Sequence, residues 1–533
     1  MHAGQQRSAG LMNPPAVTVS SVVCGRAASN GFILIFVLLF GAALAPVLWF
    51  NIPAAMADYP NHLARMFILS RDGGTDEHPY YQVSWLIVPN LAMDLLVPRV
   101  GRLIGVEMAD RLFYLLSQIL IVTGAMAIER VVKGRIHISG FVALMFLYSQ
   151  PFAWGFENFE FGLGCALWAF ACALLLQDRP WFARLAMHTA IVAVLFTAHL
   201  FALGIYGFAV GMHELWRAWS RRASPLKTLG RLTMLAIPSL LLVAVMMGSG
   251  STVGDSGTTW AFSYKHIWLM HILSGYSMPV SAVSVVALVW LIVALAYRGA
   301  LRFEQSGAWL LAGFVALYLA MPFKLFDTAY VDMRVIVAAA LILPAFVSVT
   351  FPSRVRAHIA LATTAAITLI NVGVVLGVWM SYRSDYADAM KSFQLLSKRA
   401  IVLVGHSGDG DDPPADLIDY PIYNVPTLAV HYADAFVMNL FTDPGKQPVS
   451  PREPWRRLAV HYGSMAPAKL LRQIADHGPP AGTPRFLETW PRDFDYLYLV
   501  GPSTQNPMPD LLEPVLTAHR FALYRIQKRP RGN

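Results

Sequence analysis

Residues 31–50 read GFILIFVLLFGAALAPVLWF, and shortly after that run residues 58–65 read DYPNHLAR. A helix needs about 20 apolar residues to cross a bilayer, so the first stretch is long enough to span one. No convincing small-residue cleavage site lies between it and Asp58, and it is therefore read as a retained signal anchor. A carboxylate, an imidazole and a guanidinium at the mouth of a span are costly to keep there without a task. They point to chemistry at the membrane surface.

The rest of the chain agrees with a membrane setting. Hydrophobic residues make up 56% of the 533 positions and charged residues 14%, with a mean hydropathy of +0.50. The net charge of +9 does not indicate nucleic acid, because the basic residues sit in short clusters between apolar runs, as cytoplasmic loops do. Of three cysteines, Cys24 precedes the first span while Cys165 and Cys172 share one apolar run, a pattern that suggests neither a disulfide framework nor a thiolate metal site.

Apolar runs place spans near 31–50, 112–128, 138–152, 161–177, 185–197, 200–216, 232–248, 279–297, 308–321, 335–350 and 359–380, about eleven in all. With residues 1–30 as a cytoplasmic tail, the clusters Arg130/Lys133/Arg135, Arg179/Arg184, Arg217/Arg221/Arg222/Lys227/Arg231, Arg298/Arg302 and Arg354/Arg356 all fall on the cytoplasmic side. The segment 85–100 is apolar but holds Pro89, Asp94 and Pro98, and counting it as a span would reverse the next basic loop. It is predicted to be an interfacial helix in the first outer loop. From 381 to 533 the chain turns polar and rich in proline and glycine, with strand-like runs at 400–404, 496–500 and 521–526 and helical stretches at 385–398 and 466–476. The expected architecture is an α-helical polytopic membrane domain, 31–380, followed by a soluble α/β domain on the same outer face as Asp58. The tract at 408–414, GDGDDPP, reads most simply as an acidic loop, with clustered carboxylates that could also hold a cation.

Topology then gathers ionisable residues at the outer ends of the spans: Asp58, His62, Arg65, Glu157, Asn158, His199, Lys265, His266, Asp327, Asp332 and Arg334. Asp58 and His62 are four apart, so on a helix they share a face and could ligate a divalent ion or act as a base and its partner. The plain alternative is that Asp58 is a helix N-cap ahead of Pro60. Glu157 and Asn158 lie in an aromatic turn, and His199 and the Lys265-His266 pair lie in loops where ordinary structural roles compete with substrate binding. Arg334 opens an almost wholly apolar run. It must pair with nearby Asp332, snorkel to the interface, or hold an anionic headgroup.

The acidic residue just after the first span in Asp58-Tyr59-Pro60-Asn61-His62, the interfacial helix in the same loop, the many spans, the Asp332-x-Arg334 start and the outer α/β domain together resemble the GT-C-type membrane glycosyltransferases of bacteria, across residues 31 to 380. The resemblance implies that the acidic residue is central to catalysis and that the donor is a sugar carried on polyprenyl phosphate. It also implies transfer to an envelope glycan, lipid or protein on the periplasmic face of the inner membrane. Asp58 with His62 would then be catalytic, while Arg65, Glu157, Asn158, His199, Lys265, His266, Asp332 and Arg334 would bind substrate, with positive charge from Arg334 and then Lys265 on the leaving phosphate. The chain lacks a second acidic motif of the oligosaccharyltransferase kind, so a divalent ion is left open. A transporter or flippase would instead place charges at mid-membrane within an internal repeat, and none is evident. A non-catalytic envelope assembly factor is the third reading.

Overall fold

The first apolar run is one helix, α1 (Arg26–Trp49), in the computed structural model, which describes residues 26–49, 54–248, 257–325, 328–351, 353–408, 419–460, 463–501, 503 and 505–528. The acidic tract at 409–414, Asp327 and Cys24 lie outside these residues. Helix α2 (Tyr59–Ser70) follows, then strand β1 (Tyr81–Val83) and helix α3 (Ala92–Ile104). The interfacial helix thus begins later than the 85–100 expected. Residues 84–91 are irregular, and Asn158 holds the first turn of α3 by accepting from Met93 N (2.8 Å) and donating to Asn90 O (2.9 Å).

Next come α4 (Val106–Lys133), α5 (Ser139–Phe146), α6 (Gln150–Trp154), α7 (Glu157–Leu175), α8 (Trp181–Ala198), α9 (Leu200–Ser220), α10 (Pro225–Gly248), α11 (Lys265–Met270) and α12 (Met278–Tyr297). After these follow β2 (Leu301–Phe303), α13 (Gln305–Ala320), α14 (Val331–Ile342), β3 (Val347–Val349), α15 (Arg354–Ser381) and α16 (Arg383–Gln394). Seven helices among the described residues are long and apolar enough to cross a membrane: α1, α4, α7, α8, α10, α12 and the α15–α16 run. The remaining spans of the sequence reading correspond to the shorter or less apolar α5–α6, α9, α13 and α14. Helix α4 starts earlier than the 112 expected and so brings Asp110 into the bundle.

Segment 138–152 is two short helices rather than one. Pro151 in the first turn of α6 lacks the N–H that would continue α5, so the chain turns at residues 147–149. The freed carbonyls are claimed from neighbouring segments, Tyr148 O by Gly275 N at 2.9 Å and Met145 O by Asn371 Nδ2 at 3.2 Å. Broken backbone is tolerated at membrane depth only where protein partners take up its polar groups, as here. At the opposite end of the bundle the Glu129 carboxylate accepts from His137 N, Ile138 N and Ser139 N at 2.9 to 3.1 Å and from Lys133 Nζ at 3.0 Å, which fixes the turn between α4 and α5.

Beyond α16 lies a mixed sheet built on β4 (Ile401–His406), β5 (Phe436–Val437), β7 (Ala466–Pro467), β8 (Tyr496–Val500), β9 (Leu512–Thr517) and β10 (Phe521–Ile526), in the order β5-β4-β8-β10-β9 with β7 also on β4. Strand β4 runs parallel to β5, β7 and β8, and the β8-β10-β9 ladders are antiparallel. A separate strand, β6 (Val449–Pro451), pairs with β1, so the C-terminal domain is stitched to the first loop of the membrane domain by backbone ladder. Strand β4 is buried along nearly its whole length and β8 throughout, which explains why both read as apolar runs without alternation.

Candidate functional site

The site is assembled where the 54–58 segment enters α2. Three of its carbonyls are each held by a different element: Ala54 O by Tyr386 Oη (3.1 Å), Ala55 O by Tyr276 Oη (2.6 Å) and Ala57 O by Asn424 Nδ2 (2.7 Å). On the other edge Ala57 N donates to Ala153 O (3.1 Å) and Asp58 N to Trp154 O (2.9 Å). Gly155 makes the approach possible. Its φ is +80°, and a Cβ there would stand 3.2 Å from Tyr59 N and 3.3 Å from Asp58 N. A carboxylate carried on backbone held at this many points is pre-organised rather than mobile.

Asp58 occupies the N-cap position of α2, yet its side chain makes no capping hydrogen bond. A cap is therefore not what the carboxylate does. It keeps part of its surface open, and burial pushes it up to about 7 against the opposing pull of Arg334 and then Arg65. His62, one turn along α2, is held well below the usual imidazole range by burial and by Arg65, with the Gly155 carbonyl opposing, so it is neutral at physiological pH. Its Nδ1 is buried without a partner and its ring meets Phe441 edge-on at 6.3 Å.

The guanidinium facing Asp58 is that of Arg334 in α14. It is 3% exposed, its Nε has no partner, and among the described residues no carboxylate lies within ion-pair distance. The guanidinium carbon sits 4.3 Å from the Phe156 ring centroid and 5.1 Å from that of Phe159, with Phe201 at 5.9 Å. Aromatic faces recover part of the cost of burying a cation, though less than a carboxylate would. Asp332, one candidate partner, is instead taken by Lys265 at 3.1 Å and by Met333 N at 3.0 Å.

The other predicted residues divide by what they touch. Lys265 spends its three protons on Asp332, Tyr318 O (2.7 Å) and Met321 O (2.9 Å), which saturates an ammonium. Arg65 is forked onto Asp94 at 2.8 and 3.2 Å and reaches Gln447 at 2.7 Å, binding α2 to α3 and to the C-terminal domain. Glu157 lies against Asp110 and Tyr114 of α4. Asn158 is employed on α3, and His266 lies exposed. His199 borders Arg334, with 3.4 Å between its Nε2 and Arg334 Nη1.

An aromatic wall, drawn from segments far apart in sequence, borders these residues. Trp154 lies 4.9 Å from Tyr330 and 5.1 Å from Tyr420, and Tyr330 packs on Trp268 at 5.4 Å and Phe323 at 5.0 Å. The indole N–H groups of Trp154 and Trp268 are buried without acceptors. Ring faces with a few unspent donors beside one carboxylate are the usual lining of a site for a compact polar ligand. Only the aromatic turn 153–159 signalled this from the sequence. Asp110 was missed because it lies just before the run taken as a span. No group of three or more His, Cys, Asp or Glu that could hold a metal ion occurs among the described residues.

The fold and site define a helical polytopic membrane protein with a strand-containing C-terminal domain, built over a carboxylate and an unpaired guanidinium. Two solved structures are similar to the chain. ArnT from Cupriavidus metallidurans bound to undecaprenyl phosphate shares 13% identity at a TM-score of 0.49, over 93% of this chain and 98% of that one. ArnT from the same organism in the apo state shares 12% at 0.46, over 94% and 98%. No protein-family model and no curated protein matches the chain.

Proposed function

We propose that the chain is a GT-C-type glycosyltransferase that takes a sugar from a polyprenyl-phosphate donor and passes it to an envelope glycan, lipid or protein. The observation that carries this reading is the pairing of Asp58, a cap-position carboxylate that does not cap, with Arg334, a buried cation that makes no ion pair among the described residues. In the reaction the acceptor oxygen bonds to the anomeric carbon as the bond from that carbon to the phosphate oxygen breaks. The electron pair leaves on the phosphate, where Arg334 meets the charge, and the acceptor proton passes to Asp58. A base that titrates near 7 is well matched to that transfer at neutral pH. The aromatic wall of Trp154, Tyr330 and Trp268 would hold the sugar and exclude water.

A donor anchored in lipid accounts for a site at the end of a helical bundle rather than in a soluble domain. On this reading the site faces the periplasm of a bacterial inner membrane, the N-terminus is cytoplasmic, and the C-terminal domain covers the acceptor side. The test is a deletion strain examined for envelope sugar composition and for its pool of polyprenyl-phosphate sugar. Loss of one sugar together with a swollen donor pool supports a transferase. An unchanged pool and envelope contradicts it.

A further inference from the structure

Next to Arg334, His199 sits at the N-cap of α9, where its Nδ1 accepts from Phe201 N at 3.1 Å. An acceptor nitrogen carries no proton, so the proton of the neutral ring is on Nε2. The opposite tautomer would set two N–H groups against each other at Nδ1 and strand a donor in the first turn of a helix. Nε2–H is therefore a donor, and so is the Arg334 Nη1 that stands 3.4 Å from it. Two donors cannot bond to each other. Among the described residues Nε2 makes no other hydrogen bond, and Arg334 Nε is buried with no hydrogen-bond partner.

This crowding is enforced by the backbone. Gly162 of α7 lies so close that a Cβ there would come within 2.8 Å of His199 Cβ and 3.0 Å of Ala202 Cβ, and the ring packs on Phe159 at 5.5 Å. We infer that His199 Nε2–H and the Arg334 guanidinium form one anion seat, built to receive the oxygens of a phosphoryl group, with His199 as a neutral donor set by its tautomer. A neutral ligand oxygen would leave the guanidinium with no anion bonded to it, whereas a phosphoryl oxygen accepts both donors and offsets the charge. The phenylalanines around the pair keep water from competing. The choice of a lipid phosphate as occupant rests on the proposed function, while the seat itself rests on the donors alone.

The test uses the full chain in nanodiscs with two probes, undecaprenyl phosphate and inorganic phosphate, and two variants. His199→Asn keeps an acceptor where Nδ1 stands and so preserves the cap, but has no donor at Nε2. His199→Gln places an amide N–H near the Nε2 position. The expected result is unchanged thermal midpoints for His199→Asn, with about tenfold weaker phosphate binding, the scale of one hydrogen bond to a charged group, and recovery to within about threefold of native in His199→Gln. Equal binding by His199→Asn and native, or equal loss in both variants, overturns the inference. Binding of inorganic phosphate alone, sensitive to His199→Asn, upholds the seat and removes the lipid-donor reading. Binding of neither probe by the native chain removes the seat.

Discussion

Lys265 Nζ lies 3.1 Å from Asp332 Oδ2, and this pairing leaves Arg334, two residues along the same helix, as a buried cation with no ion pair among the described residues. Lys265 and Asp332 are 6% and 0% exposed. The pattern Asp-x-Arg left Arg334 between pairing with Asp332, reaching the interface and holding an anionic headgroup, and the fold gives Asp332 to a lysine at the start of α11.

Lys265→Met is predicted to act on stability rather than on chemistry. It strands the buried Asp332 carboxylate, and breaking such a pair costs about 3–5 kcal/mol. The thermal midpoint in detergent should fall sharply, with the accumulated level of protein falling alongside. Adding Asp332→Asn should restore a large part of the loss.

Arg334→Met should do the reverse. Removing a buried charge that makes no ion pair among the described residues is near neutral or mildly stabilising, so the midpoint is expected to hold or rise while donor turnover is lost. Arg334→Lys should not rescue turnover, since an ammonium lacks the planar fork that meets a phosphoryl group. A turnover assay on equal amounts of folded protein separates these outcomes from simple unfolding.

The Asp58 carboxyl at about 7 predicts two slopes of opposite use. As a base it must be ionised, so kcat/KM should fall as pH drops through about 7. For stability the sign follows from a folded value above the ordinary 3.8: the folded chain holds a proton that the unfolded chain has released between 3.8 and about 7. The contribution from this group is fully present below 3.8 and is lost as pH rises through about 7. Asp58→Asn should remove that slope, seen as a difference between the two midpoint-against-pH curves.

Gly155→Ala tests how finely Asp58 is held. With φ at +80° and 3.2 Å to Tyr59 N, an added methyl strains the turn by about 1–3 kcal/mol and pushes α2 away from residues 153–154. Turnover should drop by at least tenfold while polyprenyl phosphate binding, which the proposed seat assigns to His199 and Arg334, changes little.

The membrane architecture was legible in the sequence because transfer of backbone into lipid leaves few options. Long apolar runs such as 31–50 become helices. The run 138–152 was less legible because hydropathy is blind to what neighbours supply, and its break at residues 147–149 depends on Gly275 and Asn371 from remote segments. Asp58 stood out through its place after the first span. Its release from capping did not, since a cap bond depends on a side-chain rotamer that spacing cannot reveal. The partner of Asp332 lies 67 residues away in sequence, beyond any local pattern. The wall formed by Trp154, Trp268, Tyr330 and Tyr420 comes from four separate segments and exists only once they meet.

The most direct test of the central claim compares native and Asp58→Asn chains at matched membrane levels in a deletion strain, following envelope sugar and the polyprenyl-phosphate sugar pool. The account predicts that only the native chain restores the sugar and that the variant leaves the donor pool swollen, since Asp58→Asn keeps a cap-competent side chain while removing the base. Equal restoration by both chains would contradict it and would make Asp58 a structural residue.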